Sequence, residues 1–164
     1  MIERGSPIPS VKTKLVGVDG ASDTTSDAVL GTGLVVFFAV PGAFTPTCHV
    51  NHLPGFVANE SKLRAQGVDR IVCASVNDAF VMKAWADASG ATGKIEFIAD
   101  GNADLAEAMG LAKDFSGAGM GKRFARSAML IRNGVVEAVF VEDAPGVNAS
   151  GAPAILMALE AANS

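Results

Sequence analysis

The sequence predicts an α/β fold, a central mixed β-sheet flanked by helices, and three features carry that expectation. Leu34-Val35-Val36-Phe37-Phe38-Ala39-Val40 is continuously apolar and rich in β-branched and aromatic residues, as a central strand covered on both faces requires. Strand-like and helix-like stretches then alternate as far as Ala99, which implies βαβ crossovers and a parallel portion of sheet. Finally, Arg132-Asn133-Gly134 separates two apolar runs, and Asn-Gly favours a tight hairpin, so antiparallel strands close the sheet.

Pro41-Gly42 ends the first strand. Thr45 and Thr47 are then candidate caps and Pro46 suits a first helical turn, so a helix is expected to about Gln66, kinked at Pro54 and Gly55. Val68 to Val76 reads as a second buried strand, Asp78 as the cap of a helix through Ala88, and Lys94 to Ala99 as a third short strand. Ala103 to Met109 suits a short helix, and Gly110 to Gly121 a glycine-rich loop. Ser127 to Ile131 and Val135 to Val141 form the hairpin, and a last helix spans roughly Ala152 to Ala162.

A length of 164 residues suits one domain, 1–164, with its own core. A hydrophobic fraction of 49% with 18% charged residues places the chain among globular proteins. The net charge of −4, without a basic stripe, argues against nucleic acid or anionic lipid as partners. The most apolar run is far shorter than the roughly 20 residues of a membrane helix, and Glu3 argues against a signal peptide, so a cytoplasmic location is the expectation. No His/Cys cluster has metal-site spacing, and neither a metal nor a cofactor is expected.

The two cysteines differ in setting. Cys48 follows a buried strand and a Pro-Gly turn and falls in the first turn of a helix, where unpaired N–H groups and the positive helix end favour a thiolate. Thr45 lies about one turn earlier, so its hydroxyl is placed to donate to that sulfur and to accept from a bound hydroperoxide, while Pro41 shields the site from water. Cys73 sits mid-strand and reads as a buried apolar group. His49 and His52 flank Cys48, but their spacing on one short helix does not build the oriented base of a cysteine hydrolase.

Pro41-Gly42-Ala43-Phe44-Thr45-Pro46-Thr47-Cys48 closely resembles the active-site signature of peroxiredoxins, specifically the type II (class 5) branch, which also carries the His52-Leu53-Pro54-Gly55-Phe56 motif. The resemblance continues through Ser75 to Trp85, Gly121-Lys122-Arg123, Arg126 and the Asn-Gly hairpin, covering nearly the whole chain from about residue 5. It implies a thioredoxin-like fold with an N-terminal hairpin, part of which Lys12 to Asp19 can supply. It further implies that Cys48 is the peroxidatic nucleophile, that Thr45 and Pro41 shape its pocket, and that an arginine polarises the peroxide. Arg123 and Arg126 both qualify; counting back from the hairpin selects Arg126 and leaves Arg123 at the entrance. Ser127 departs from the aromatic residue the branch usually has there.

The implied activity is reduction of hydrogen peroxide and alkyl hydroperoxides through a Cys48 sulfenic acid, serving peroxide detoxification and redox homeostasis. Gly146 to Gly151, where some relatives carry a resolving cysteine, has none, so the expected donor is an external thiol, glutathione with glutaredoxin or thioredoxin. A homodimer is implied through a face carrying aromatics such as Phe44 and Phe80. The alternative is a peroxide sensor or thiol relay, which begins with the same chemistry but lacks rapid recycling.

Overall fold

The computed structural model describes residues 1–163. Strands β1 (Lys12–Gly17) and β2 (Gly20–Thr25) form an antiparallel hairpin, followed by the short helix α1 (Ser26–Leu30). The central strand β3 (Leu34–Ala39) leads to a π-helical turn at Cys48–His52, then α2 (Leu53–Ala58), α3 (Glu60–Ala65) and β4 (Arg70–Ser75). Next come α4 (Ala79–Ala88), β5 (Glu96–Ala99) and α5 (Asp104–Ala108). The chain ends with β6 (Ala112–Asp114), β7 (Lys122–Phe124), β8 (Ser127–Arg132), β9 (Val135–Val141) and α6 (Ala152–Asn163).

Seven strands form one sheet in the order β2-β1-β5-β4-β3-β8-β9. The pairs β3/β4 and β4/β5 are parallel; the flanking pairs are antiparallel, so the sheet is mixed as expected. The unbroken apolar run of β3 is explained by its neighbours. Val36, Phe38 and Val40 join the core that contains Cys48, Phe56, Trp85 and α6, while Val35, Phe37 and Ala39 join the opposite core with α1, α5 and Phe124. In the β8/β9 turn Asn133 and Gly134 both have positive φ, 49° and 79°, the conformation that a tight hairpin demands. Asp78 caps α4 by accepting from the Val81 N–H at 2.9 Å.

Three expectations are corrected. The single helix expected from the Thr45 region to Gln66 is divided into the π-turn, α2 and α3. Pro54 has no N–H for the Val50 carbonyl and its ring crowds that group, so the preceding turn widens and the Leu53 N–H reaches back to the Cys48 carbonyl. The break after α2 falls at Asn59, whose side-chain amide donates to the Gly55 carbonyl at 2.7 Å. Second, the stretch 110–121 is not all loop: Ala112–Asp114 pairs with β7 in a separate two-stranded sheet. Third, β2 and α1 lay outside any expected element. Gly-Ala-Ser-Asp-Thr-Thr has no apolar alternation, and β2 is a sheet edge that pairs with β1 through its backbone, joined by the exposed Lys14–Asp23 ion pair.

The segment carrying Cys48 is pinned to the sheet by aromatic packing. Phe56 on α2 stacks on Phe38 of β3 with ring centroids 4.0 Å apart and 11° between planes, and both rings are fully buried. Phe56→Ala is therefore expected to lower unfolding free energy by about 3–5 kcal/mol in urea titrations. A loss under about 1 kcal/mol would show that α2 is held to the sheet by other contacts.

Candidate active site

The turn after β3 is fixed from several directions. The Ala43 N–H donates to Asn77 Oδ1 at 3.0 Å. Arg123 donates from Nη1 to the carbonyls of Val76 (3.2 Å) and Pro41 (3.4 Å) and from Nε to that of Met120 (2.9 Å). Arg123 thus clamps the buried Pro41 turn by backbone carbonyls and does not touch the sulfur through any of these bonds. Gly42 permits the close approach: a Cβ there would meet Thr45 Cγ2 at 3.0 Å and Arg123 Nη1 at 3.2 Å.

The Thr45 carbonyl accepts from the His49 N–H at 2.8 Å, which opens the helical turn. Its hydroxyl donates to the Gly42 carbonyl at 2.6 Å, and the Thr47 side chain makes no cap bond. The expected donation from Thr45 to the thiolate is thus corrected: its proton is committed to Gly42, which leaves the oxygen lone pairs for an incoming O–H.

Cys48 is fully buried, and Arg126 Nη2 donates to its Sγ at 3.0 Å. Arg126 Nη1 lies 3.0 Å from His52 Nδ1, and His52 Nε2 lies 2.9 Å from the Ser150 carbonyl. These partners determine the imidazole's form. A guanidinium only donates and a carbonyl only accepts, so His52 carries its proton on Nε2 and presents a lone pair to Arg126. Cys48 and His52, at opposite ends of the π-turn, face the same arginine. Ser127, buried next in sequence, satisfies its hydroxyl on the Ala125 carbonyl at 3.1 Å.

Sequence reasoning missed Ser150 and Glu142. Glu142 accepts bonds from the backbone of Asn148, Ala149 and Ser150, and its own N–H donates to the Arg126 carbonyl at 3.0 Å. Nothing local in the sequence links positions 52, 126 and 142. A cleft of about 270 Å³ beside them is lined by Pro41, Thr47, Phe115, Arg126 and Pro145. Cys73 is buried in β4 and unpaired. Burial pushes its thiol well above the usual range, and the neighbouring Cys48 charge adds to that. His49 accepts from Trp85 Nε1 at 3.1 Å through Nδ1, so it supports the turn from the other side.

Residues 3–156 match the Redoxin family. This chain belongs to that family. It is 44% identical over 145 residues to Peroxiredoxin-2E-2, chloroplastic, of Oryza sativa subsp. japonica, spanning 86% of this chain and 64% of that protein. It is 42% identical over 125 residues to Peroxiredoxin-2D of Arabidopsis thaliana, spanning 76% of this chain and 77% of that one. Reduced Prx3 of Vibrio vulnificus, solved in complex with hydrogen peroxide, superposes with a TM-score of 0.92 at 43% identity, over 99% of both chains. The fold is the thioredoxin-like fold of peroxiredoxins, and peroxiredoxins are thiol-dependent peroxidases.

The buried histidine makes this peroxiredoxin's stability depend on pH. Burial lowers the pKa of His52 from 6.5 to about 4; the Ser150 carbonyl opposes that shift and the Arg126 charge adds to it. Between these values the unfolded chain holds a proton that the folded chain refuses, so stability falls as pH drops from about 6.5 to about 4. The loss from this group totals roughly 3 kcal/mol. Urea unfolding of the wild type and His52→Asn at pH 7.5 and 4.5 checks it: the wild type is expected to lose more stability than the variant. Equal losses would mean that His52 does not stay neutral in the fold.

Proposed function

We propose that this peroxiredoxin reduces hydrogen peroxide and alkyl hydroperoxides with Cys48 as its reacting cysteine, and that an external thiol recycles it. The observation that carries the reading is the 3.0 Å contact between Arg126 Nη2 and the buried Cys48 sulfur. A guanidinium stays charged at every physiological pH and stabilises negative charge on sulfur in a water-poor site.

The Cys48 thiolate attacks the terminal oxygen of R–O–O–H. The S–O bond forms as the O–O bond breaks, the sulfur is oxidised to a sulfenic acid, and the departing RO⁻ takes up a proton to leave as water or alcohol. Arg126 stabilises charge on the sulfur and on the leaving oxygen, Thr45 accepts from the hydroperoxide O–H, and Pro41 keeps water from the turn. A donor thiol then condenses with the sulfenic acid, releasing water and forming a mixed disulfide. A second thiol displaces Cys48 as thiolate and leaves with the first as a disulfide.

Glutathione with glutaredoxin, or thioredoxin, is the proposed donor. Two features support an external thiol: Cys73 is fully buried, and Gly146 to Gly151 holds no cysteine. The sulfur is itself inaccessible in the closed turn, so a donor reaches it after Cys48–His52 opens. A homodimer through the face bearing Phe44 and Phe80 belongs to the same reading, supported by their exposures of 47% and 88%. The unpaired cysteines suit a reducing compartment, for which the cytoplasm is proposed.

Peroxide consumption by wild type, Cys48→Ser, Cys73→Ser and Arg126→Gln, with each donor system in turn, tests this reading. Cys48→Ser is expected to abolish turnover, Arg126→Gln to slow oxidation by about 100-fold or more, and Cys73→Ser to retain the wild-type rate. Loss of recycling in Cys73→Ser would make that residue the resolving thiol. Oxidation of the wild type without recycling by either donor would favour a sensor.

A further inference from the structure

Glu142, immediately after β9, holds a set of contacts for which the reaction has no direct use. Its Oε2 accepts from the N–H groups of Asn148 and Ser150, both at 2.8 Å, and from the Ser150 hydroxyl at 2.6 Å. Its Oε1 accepts from the Ala149 N–H at 3.1 Å. Three successive amides gathered on one carboxylate fix the 148–150 turn, and with it the direction of the Ser150 carbonyl. That carbonyl meets His52 Nε2 at 2.9 Å inside the protein, where His52 is 1% exposed and Ser150 is fully buried.

The direction of that carbonyl matters two contacts away. While it faces Nε2, the proton of the neutral ring is held there and Nδ1 presents a lone pair to Arg126. A displaced carbonyl releases the ring to the other tautomer, in which Nδ1–H points at the N–H of a guanidinium and the contact becomes repulsive. The guanidinium then loses one of the two anchors that aim Nη2 at the sulfur.

We propose that Glu142 is a positioning residue for peroxide reduction: through the Ser150 carbonyl and His52 it holds the Arg126 guanidinium on the Cys48 sulfur. The proposal rests on the reading of Cys48 and Arg126 as the peroxidase centre. It assigns Glu142 a geometric role, which reach and charge can separate. Glu142→Gln keeps the reach and one oxygen for the three Oε2 donors, but loses the charge and the acceptor for the Ala149 N–H, against which its NH₂ is set. Glu142→Asp keeps the charge and withdraws the carboxylate by one methylene.

The test measures the stopped-flow rate of oxidation of the reduced protein by hydrogen peroxide together with the side-chain ¹⁵N shifts of His52. Wild type is expected to show a protonated Nε2 and an unprotonated Nδ1; the opposite tautomer overturns the proposal whatever the variants do. Glu142→Gln is expected to keep that pattern and oxidise within about threefold of wild type. Glu142→Asp is expected to average the two nitrogen signals and to slow oxidation at least about tenfold, since misplacement by an ångström costs rates of this order. Oxidation of Glu142→Asp at the wild-type rate, or slowing with the His52 shifts unchanged, overturns the proposal. Arg126→Gln is measured alongside: if it oxidises at the wild-type rate, it is the reading of the centre that fails.

Discussion

A sulfur with no solvent exposure has no water to stabilise a negative charge, so any charge on Cys48 depends on a donor supplied by the protein, and the donor in contact with it is Arg126. The two residues are 78 positions apart, and the architecture brings them together. β3 and β8 lie side by side as an antiparallel pair, with Ala39 opposite Ser127. The turn leaving β3 and the segment entering β8 therefore emerge at the same end of the sheet. A central strand buried on both faces is what makes that end rigid: shifting its register by one residue would exchange Phe37 and Phe38 between the two cores.

The arginine needs its own restraint, because a long charged side chain held by a single contact is free to swing toward water. His52 supplies it in neutral form. A protonated imidazole could not accept from a guanidinium and would place two cations together in the interior. Burial disfavours that form at neutral pH, and the Ser150 carbonyl selects the tautomer. Two of the five guanidinium N–H groups serve these anchors, leaving donors for the oxygen that departs when the O–O bond breaks. On the proposed reading the same arginine serves both the reactant anion and the developing charge without having to move.

Much of this was legible in the sequence wherever the determinants are local. The apolar run of β3, the Asn133-Gly134 turn and the Asp78 cap each act within a few residues, and the eight-residue stretch ending at Cys48 carries its chemistry in contiguous positions. The edge strand β2 was not legible, because backbone pairing with β1 holds it with little help from side chains beyond the exposed Lys14–Asp23 ion pair, which leaves no apolar alternation to read. β6 was hidden in a glycine-rich segment for the same reason. Within the site, the Thr45 hydroxyl was placed near the sulfur by spacing, but spacing does not say which acceptor takes its proton, and Gly42 does. The contacts among His52, Arg126, Ser150 and Glu142 join three distant segments and leave no periodic trace.

The π-turn reconciles two requirements that oppose each other. On the proposed reading, attack on peroxide uses the sulfur fixed against Arg126, whereas a bulkier external thiol needs it more exposed. An ordinary helical turn continuous with α2 would favour the first and hinder the second. Pro54 denies the Val50 carbonyl its i→i+4 donor, and the Leu53 N–H bonds the Cys48 carbonyl in the wide i→i+5 pattern while the backbone stays helical through His52 and Leu53. What the backbone lacks in local cohesion, side chains restore: His52 and Trp85 tether the turn from opposite directions, one to the Ser150 carbonyl and the other to His49. These are single neutral hydrogen bonds, each worth about 1 kcal/mol net. On the proposed reading, oxidation removes the charge that holds the sulfur to Arg126 and so weakens one of the restraints on this turn.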